Sequence, residues 1–250
     1  MKPPSCISGH AVSTHDMKLP LFLSALSVAF WLAQPAGADV TLIQEVQGLG
    51  SGAGEMTIKI KGGKVRIDPS PKMTTIFDGG TGELTTLMRD EKSVIRMSAD
   101  KLKAAAAMLK QFNSENEAKT KLVATGQKET INGIETEQYV YDGPDFKATY
   151  WIAPNYSNGA EILRQLQAVK SEAWNAANAR LPDYRDFPGL PIRTRVTTKH
   201  EGAHEFTSTI TAVKLDPISD SEFAVPPDFK EIKMPDFFGG KGAPSASPPQ

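Results

Sequence analysis

One stretch of the sequence, EMTIKIKGGKVRID at residues 55–68, constrains the fold more than any other. Apolar and polar residues alternate along it, and the pair Gly62-Gly63 interrupts the alternation near its centre. Strict alternation is typical of a β-strand with one buried face, and two glycines accept the positive φ angles of a tight hairpin turn. The stretch therefore predicts an antiparallel hairpin whose apolar face carries Met56, Ile58, Ile60, Val65 and Ile67.

Further alternating stretches extend this hairpin into a large antiparallel sheet. Residues 73–98 predict two or three more strands, with turns at residues 78–80 and 90–91. Residues 130–154 predict another hairpin, which turns at Asp142-Gly143-Pro144. Residues 191–215 predict a final pair of strands. The dominant signal along the chain is therefore β-structure.

Two stretches have instead the periodicity of amphipathic helices. The first helix is expected at residues 99–112, with an apolar face made by Leu102, Ala105, Ala106, Leu109 and Phe112. The second is expected at residues 158–181, with an apolar face made by Ile162, Leu166, Val169, Ala173 and Ala177. Neither has enough apolar surface to be stable alone, so both are expected to pack on one face of the sheet. The predicted fold class is α+β.

The N-terminal region predicts export. Lys18 precedes the apolar run LPLFLSALSVAFWLA, and Ala36-Gly37-Ala38 follows as a small-residue cleavage site. This arrangement is typical of a secretory signal peptide, so residues 1–38 are predicted to be a leader, with Met17 as an alternative start of translation. The apolar run is too short for a membrane span. The mature protein is expected to be periplasmic or secreted, after cleavage near Ala38, and to have no transmembrane segment.

The rest of the chain is predicted to form one domain, residues 39–238, followed by a disordered tail at residues 239–250 that is rich in Gly, Pro and Ser. The only cysteine, Cys6, lies in the leader, so the mature protein has no disulfide and no cysteine ligand for a metal. The chain has 28 basic and 29 acidic residues. Such a balanced charge argues against a nucleic-acid partner.

A literal match to the zinc motif H-E-x-x-H occurs at His200-Glu201-Gly202-Ala203-His204. In zinc hydrolases this motif lies on a helix, where the two histidines share one face. Here β-branched residues flank the motif, Gly202 favours a turn, and no later histidine is present as a third ligand. We therefore interpret the segment as a hairpin tip. A metal-dependent hydrolase using His200 and His204 is the least favoured alternative, and no catalytic residue or cofactor is predicted.

The stretches KVRIDPSP, TIFDGGTGELTTL and SEFAVPPDFKEIKMP follow one another in an order that resembles exported bacterial domains with the lipoprotein-carrier (LolA/LolB-like) fold. The sequence is most similar to a functionally uncharacterised group within that superfamily. The resemblance implies a curved antiparallel half-barrel sheet, covered by the two helices as a lid over a hydrophobic interior. Carriers of this fold hold lipoprotein acyl chains there, and Arg66 lies near the position of an arginine that helps to keep the lid shut.

The first functional hypothesis is an exported, soluble, non-enzymatic binding protein that holds a lipid, an acylated protein or a similar hydrophobic ligand. The expected ligand-binding residues are Met56, Ile58, Ile60, Val65, Ile67, Leu102 and Leu109. Arg66 is expected either to be a lid latch that bonds to the backbone of a covering element or to be a solvated residue of the outer face. The second hypothesis is an envelope protein–protein interaction module with a filled core, which uses sheet edges or the loop DFPGLPIRT at residues 186–194.

Overall fold

A computed structural model describes residues 39–48, 53–112, 121–144, 146–168, 182, 184–199 and 204–233. The predicted leader and the predicted C-terminal tail lie outside these residues, so signal cleavage and tail disorder stay predictions. No helix within the described ranges is long and apolar enough to cross a membrane.

Within these ranges twelve strands form one sheet in the order β12-β6-β5-β4-β3-β2-β1-β11-β10-β9-β8-β7. The strands are β1 (Val40–Gln47), β2 (Gly54–Lys61), β3 (Lys64–Ser70), β4 (Met73–Asp78), β5 (Glu83–Met88), β6 (Ser93–Met97), β7 (Val123–Ile131), β8 (Ile134–Asp142), β9 (Phe146–Ala153), β10 (Leu190–Thr198), β11 (Glu205–Lys214) and β12 (Lys230–Glu231). All neighbours are antiparallel except β12 and β6. The pairing of β1 with β11 joins an N-terminal meander to a C-terminal one.

Two helices interrupt the meanders. Helix α1 (Ala99–Phe112) follows β6, and helix α2 (Gly159–Ala168) follows β9. The predicted α+β class, a mostly antiparallel sheet with two helices, is confirmed. The second helix was expected to continue to residue 181, but residues 169–181 lie outside the described part of the chain.

The hairpin predicted from residues 55–68 is confirmed in register. Ile60 lies opposite Val65, and Ile58 lies opposite Ile67. Gly62 and Gly63 turn the chain with φ angles of 55° and 79°, a conformation that other residues adopt only with strain.

The sequence prediction of a single hairpin at residues 130–154 was incomplete. The structure has two hairpins there, because β7 and β8 are joined by a turn at Asn132-Gly133, with φ angles of 49° and 78°. The first eight residues of β7 are exposed, so this strand carries no apolar alternation to reveal it. The Asn-Gly pair was the available signal, since it is the preferred sequence of a two-residue hairpin turn.

The main core lies between the sheet and the helices. A row of directly opposed side chains crosses four strands, from Val40 through Ile60 and Val65 to Phe77. All four are at most 4% exposed. Ile162 of α2 is fully buried in the same cluster, and Leu102 of α1 packs against it. Helix α2 is therefore held on the sheet by the apolar face that its sequence predicted.

We expect Ile60→Ala to lower the free energy of unfolding of the mature protein by roughly 2–5 kcal/mol, because it leaves a cavity in this cluster. Urea denaturation measures the change. The matched control is Val123→Ala on β7, where the side chain is 60% exposed, and its effect should stay below about 0.5 kcal/mol. Equal effects of the two substitutions would contradict the location of the core.

Candidate functional site

The two faces of strands β2 to β6 differ completely in charge. Alternation and register place every charged residue of these strands on one face, which we call the outer face: Glu55, Lys59, Lys61, Lys64, Arg66, Asp68, Asp78, Glu83 and Arg96. The opposite face, which we call the apolar face, carries Met56, Ile58, Ile60, Val65, Ile67, Met73, Thr75, Phe77, Leu84, Thr86, Met88, Ile95 and Met97. The apolar face therefore has no ionisable side chain.

Burial falls across the apolar face from the main core towards Met73 and Met88, although Ser93, opposite Met88 on the same face, is only 4% exposed. The row that contains Ile60, Val65 and Phe77 is buried in the main core. The next row runs through Ile58, Ile67, Thr75, Thr86 and Ile95, and all five are half-buried. Beyond it Met73 lies opposite Met88 and is 41% exposed. One end of the face is thus filled core, and the other end is accessible.

The ligand-binding residues predicted from sequence divide along this gradient. Ile60 and Val65 are core residues, and Ile58 and Ile67 are half-buried and pack against that core. Met56 is also half-buried. Leu102 is half-buried and packs on the core, and the side chain of Leu109 lies outside the described part of the structure.

Sequence reasoning missed the residues that β4, β5 and β6 add to the accessible end, namely Met73, Thr75, Thr86, Met88 and Ile95. Their alternation was visible in residues 73–97 and predicted strands. What it did not give was the pairing of those strands with the first hairpin, which places their side chains on the same face.

Arg66 lies on the outer face and anchors a different element from the predicted helical lid. Its guanidinium donates to both carboxylate oxygens of Asp68, at 2.8 and 3.0 Å. It also donates to the backbone carbonyl of Glu222 at 2.5 Å and to the Glu222 carboxylate at 2.8 Å. Glu222 belongs to the C-terminal segment, residues 215–233. Arg66 therefore does bond to the backbone of a covering segment, but its partners here are on β3 and the C-terminal segment.

The C-terminal segment covers part of the outer face. Its side chains Phe223, Val225 and Phe229 pack on a small cluster made by Ile76, Leu87 and Val94. Its last residues form β12, and the amides of Lys230 and Ile232 donate to the carbonyls of Lys92 and Val94. Its acidic residues pair with sheet cations, as Asp228 does with Lys92 at 2.8 Å. Apolar packing and ion pairs thus hold the segment in place together.

A pocket of about 270 Å³ lies between the outer face and the C-terminal segment. Ile76, Thr85, Phe223 and Val225 line it together with four charged residues. These four form two ion pairs, Lys64 with Asp78 at 3.1 Å and Arg96 with Glu83 at 2.8 Å. Because these four charges are already paired with each other, they attract a charged ligand less strongly than four unpaired charges would.

The segment with the zinc motif connects two antiparallel strands. Before it, Thr198 ends β10, and after it, His204 precedes β11. The Thr198 amide donates to the His204 carbonyl at 3.0 Å, and the His204 amide donates to the Thr198 hydroxyl at 2.9 Å. The predicted strands on both sides of the motif are confirmed, and the predicted turn, residues 200–203 with His200, lies outside the described ranges. Within those ranges no group of three or more His, Cys, Asp or Glu side chains is arranged to hold a metal ion.

The loop proposed for protein–protein contact turns its apolar side chains inward. The ring of Phe187 packs edge-on against Tyr150, with ring centroids 5.0 Å apart. Leu190 and Ile192 are fully buried in the main core. This segment closes the core beside α2 and does not present an apolar surface to a partner.

The ionic network around Arg66 gives a pH-dependent prediction. Burial opposes ionisation of Asp68, but hydrogen bonds from Arg66 and Thr74 and the charges of Arg66 and Arg89 outweigh it, so the pKa of Asp68 falls below its ordinary value of 3.8. A lowered pKa stabilises the folded protein above the unfolded-state value of about 3.9, and this contribution is lost as the pH falls through the folded value. We therefore expect the free energy of unfolding, measured by chemical denaturation between pH 5 and 2, to fall less steeply with decreasing pH for Asp68→Asn than for the wild type.

The exposed Asp90, which pairs with Lys72 on the surface, supplies the control Asp90→Asn. Its pH dependence should follow the wild type more closely than that of Asp68→Asn. Parallel curves for the wild type and Asp68→Asn would contradict a stabilising role of the Asp68 carboxylate.

Several solved structures are similar to this chain at low sequence identity. Two crystal forms of PNGF-II match 79% of this chain at 10% and 12% identity, with TM-scores of 0.40 and 0.39, and the chain spans about a third of that protein, 32% and 31%. A LolA superfamily protein from Nitrosomonas europaea matches at 10% identity, covering 76% of this chain and 91% of that one, with a TM-score of 0.27. The domain of a putative outer membrane lipoprotein-sorting protein from Vibrio parahaemolyticus also matches at 10% identity, with coverages of 76% and 90% and a TM-score of 0.29.

No protein of curated function has a matching sequence. The model of the family described as "Domain of unknown function (DUF4412)" matches residues 42–229, which include eleven of the twelve strands in full or in large part and both helices. The chain therefore belongs to the DUF4412 family.

Proposed function

We propose that this protein is an exported, non-enzymatic binding protein that holds a hydrophobic ligand, such as a lipid or the acyl chain of a protein, on the accessible end of the apolar face. The observation that carries the proposal is the half-buried row from Ile58 to Ile95, which has no charge and borders a filled core. Partly exposed apolar side chains aligned in one row are candidates for a binding surface, because water contact with them is unfavourable.

The proposed architecture of the site is a curved half-barrel sheet with the helices as its cover. Leu102 of α1 and Leu166 of α2 both pack against the main core cluster. Helix α1 begins two residues after β6, so its first turn lies beside the strand that ends the half-buried row. In this arrangement α1 covers the ligand from the side of β6, and α2 closes the filled end.

The affinity of such a site comes from apolar burial. The half-buried row crosses five strands, a span of about 19 Å at the usual strand spacing. Each CH₂ group removed from water contributes about 0.8 kcal/mol. The loss of ligand freedom on binding subtracts from that gain. A chain lying along the whole row would still bury enough groups for specific binding.

The non-enzymatic part of the proposal rests on the same face. Acid–base catalysis requires a titratable side chain within hydrogen-bonding reach of the substrate. The apolar face carries aliphatic, methionine, phenylalanine, threonine and serine side chains, and its strands place all their charged residues on the opposite side. The export part rests on the predicted signal peptide.

The test begins with protein exported from its native host. Organic extraction and mass spectrometry should find a hydrophobic molecule in near-stoichiometric amount. Delipidated protein should then bind diphenylhexatriene, a hydrocarbon whose fluorescence rises in apolar surroundings. We expect Ile67→Asn to weaken probe binding by at least tenfold, because it places an amide in the aliphatic part of the row, next to Ile58.

The matched control is Val123→Asn on β7, the strand at the opposite edge of the sheet from β6 and β12, where the side chain is 60% exposed. It should bind the probe as the wild type does. The proposal fails if delipidated wild-type protein does not bind the probe, or if the two substitutions weaken binding equally while both variants remain folded by circular dichroism.

A further inference from the structure

Two polar residues interrupt the half-buried row of the apolar face. Thr75 of β4 and Thr86 of β5 lie directly opposite each other, between Ile67 on one side and Ile95 on the other. Opposed residues on neighbouring strands have Cβ atoms about 5 Å apart, so the two hydroxyls share one small area. Both residues are half-buried. A polar spot therefore lies within an otherwise apolar track.

These hydroxyls have no partner in the described part of the chain. The neighbouring threonines of the outer face differ in this respect. Thr74 is fully buried and its hydroxyl donates to Asp68 at 2.6 Å, and Thr85 is 6% exposed and donates to Glu83 at 3.1 Å. The buried threonine hydroxyls of the outer face are thus paired with carboxylates. The hydroxyls of Thr75 and Thr86 can instead donate hydrogen bonds to a ligand and accept them from it.

The charge distribution limits what they can bind. No ionisable residue of β2 to β6 lies on the apolar face. A carboxylate or ammonium group placed there would lose water without gaining an opposite charge from these strands, which is strongly unfavourable. An uncharged carbonyl or hydroxyl would instead exchange its water for hydrogen bonds with the threonines.

The shape of the track limits the ligand further. Alternate residues along a strand are about 7 Å apart, so the half-buried row is one side chain wide between the buried row and the methionines. A linear hydrocarbon chain fits such a strip better than a flat fused-ring system. From Thr75 the strip continues over Ile67 and Ile58 to the buried Leu42.

We propose that Thr75 and Thr86 bind the uncharged ester or amide group of an acyl ligand, whose hydrocarbon chain lies across Ile67 and Ile58. This inference rests on the proposed function and makes it specific, since it distinguishes an esterified or amidated chain from a free fatty acid. Thr75 and Thr86 are then the residues that select the ligand, and the aliphatic residues supply most of the affinity.

The experiment compares two ligands of equal chain length, monomyristoylglycerol and myristate, as competitors of diphenylhexatriene on the delipidated mature protein at pH 8. The wild type should bind the uncharged ester at least fivefold more tightly than the carboxylate. In Thr75→Val/Thr86→Val the affinity for the ester should fall by roughly three- to tenfold, the usual effect of losing one or two neutral hydrogen bonds. The affinity for the hydrocarbon probe should not fall, because valine has the shape of threonine without its hydroxyl.

Thr57→Val is the matched control, because Thr57 lies on the outer face of β2, opposite Asp68. It should leave both competitor affinities unchanged. The inference is overturned if the wild type binds the carboxylate as tightly as the ester, or if the double variant keeps the wild-type ester affinity. Both outcomes presuppose probe binding, so they are distinguishable from failure of the proposed function, in which the probe itself does not bind.

Discussion

The pairing of Ile60 with Val65 across the β2–β3 hairpin determines what each side of the sheet carries. In the same register Lys59 lies opposite Arg66 on the other side. A shift of one residue would move the isoleucines to the ionic side and Arg66 into the main core, so the register is strongly specified. One hairpin thus fixes both the apolar face and the anchor of the C-terminal segment.

The outer side of this hairpin shows how a charged sheet face can still be covered. Arg66 is largely buried, and its side chain is only 13% exposed. Isolated burial of a guanidinium would be strongly unfavourable, but here Asp68 and Glu222 supply the opposite charges and hydrogen-bond acceptors. Because each charge needs its partners, the network also specifies where the C-terminal segment lies. The aromatic residues of that segment then add apolar contacts that the sheet face alone does not offer.

The sequence predicted the elements that bury a periodic face, and it failed where burial is set by distant partners. Residues 55–68 and the first turns of both helices show their periodicity, and the structure confirms them. Strand β7 has exposed residues on both sides, so no pattern marks it. The contact between Arg66 and Glu222 joins residues 156 positions apart, and no local pattern encodes such a pairing. Likewise, Ile58 and Ile60 are equivalent in sequence, but Ile60 is fully buried in the main core, whereas Ile58 is half-buried against it.

The accessible end of the apolar face differs from the filled end in chemistry as well as in burial. Rigid, branched side chains such as Ile60 and Val65 make the filled end, where one fixed packing is favourable. Methionines, with unbranched and flexible side chains, border the accessible end at Met56, Met73 and Met88. Such side chains adapt to ligands of different shapes at little energetic cost. Under the proposed function, this adaptable border would accept chains of varied length, while Thr75 and Thr86 would select the uncharged group that joins the chain to the rest of the ligand.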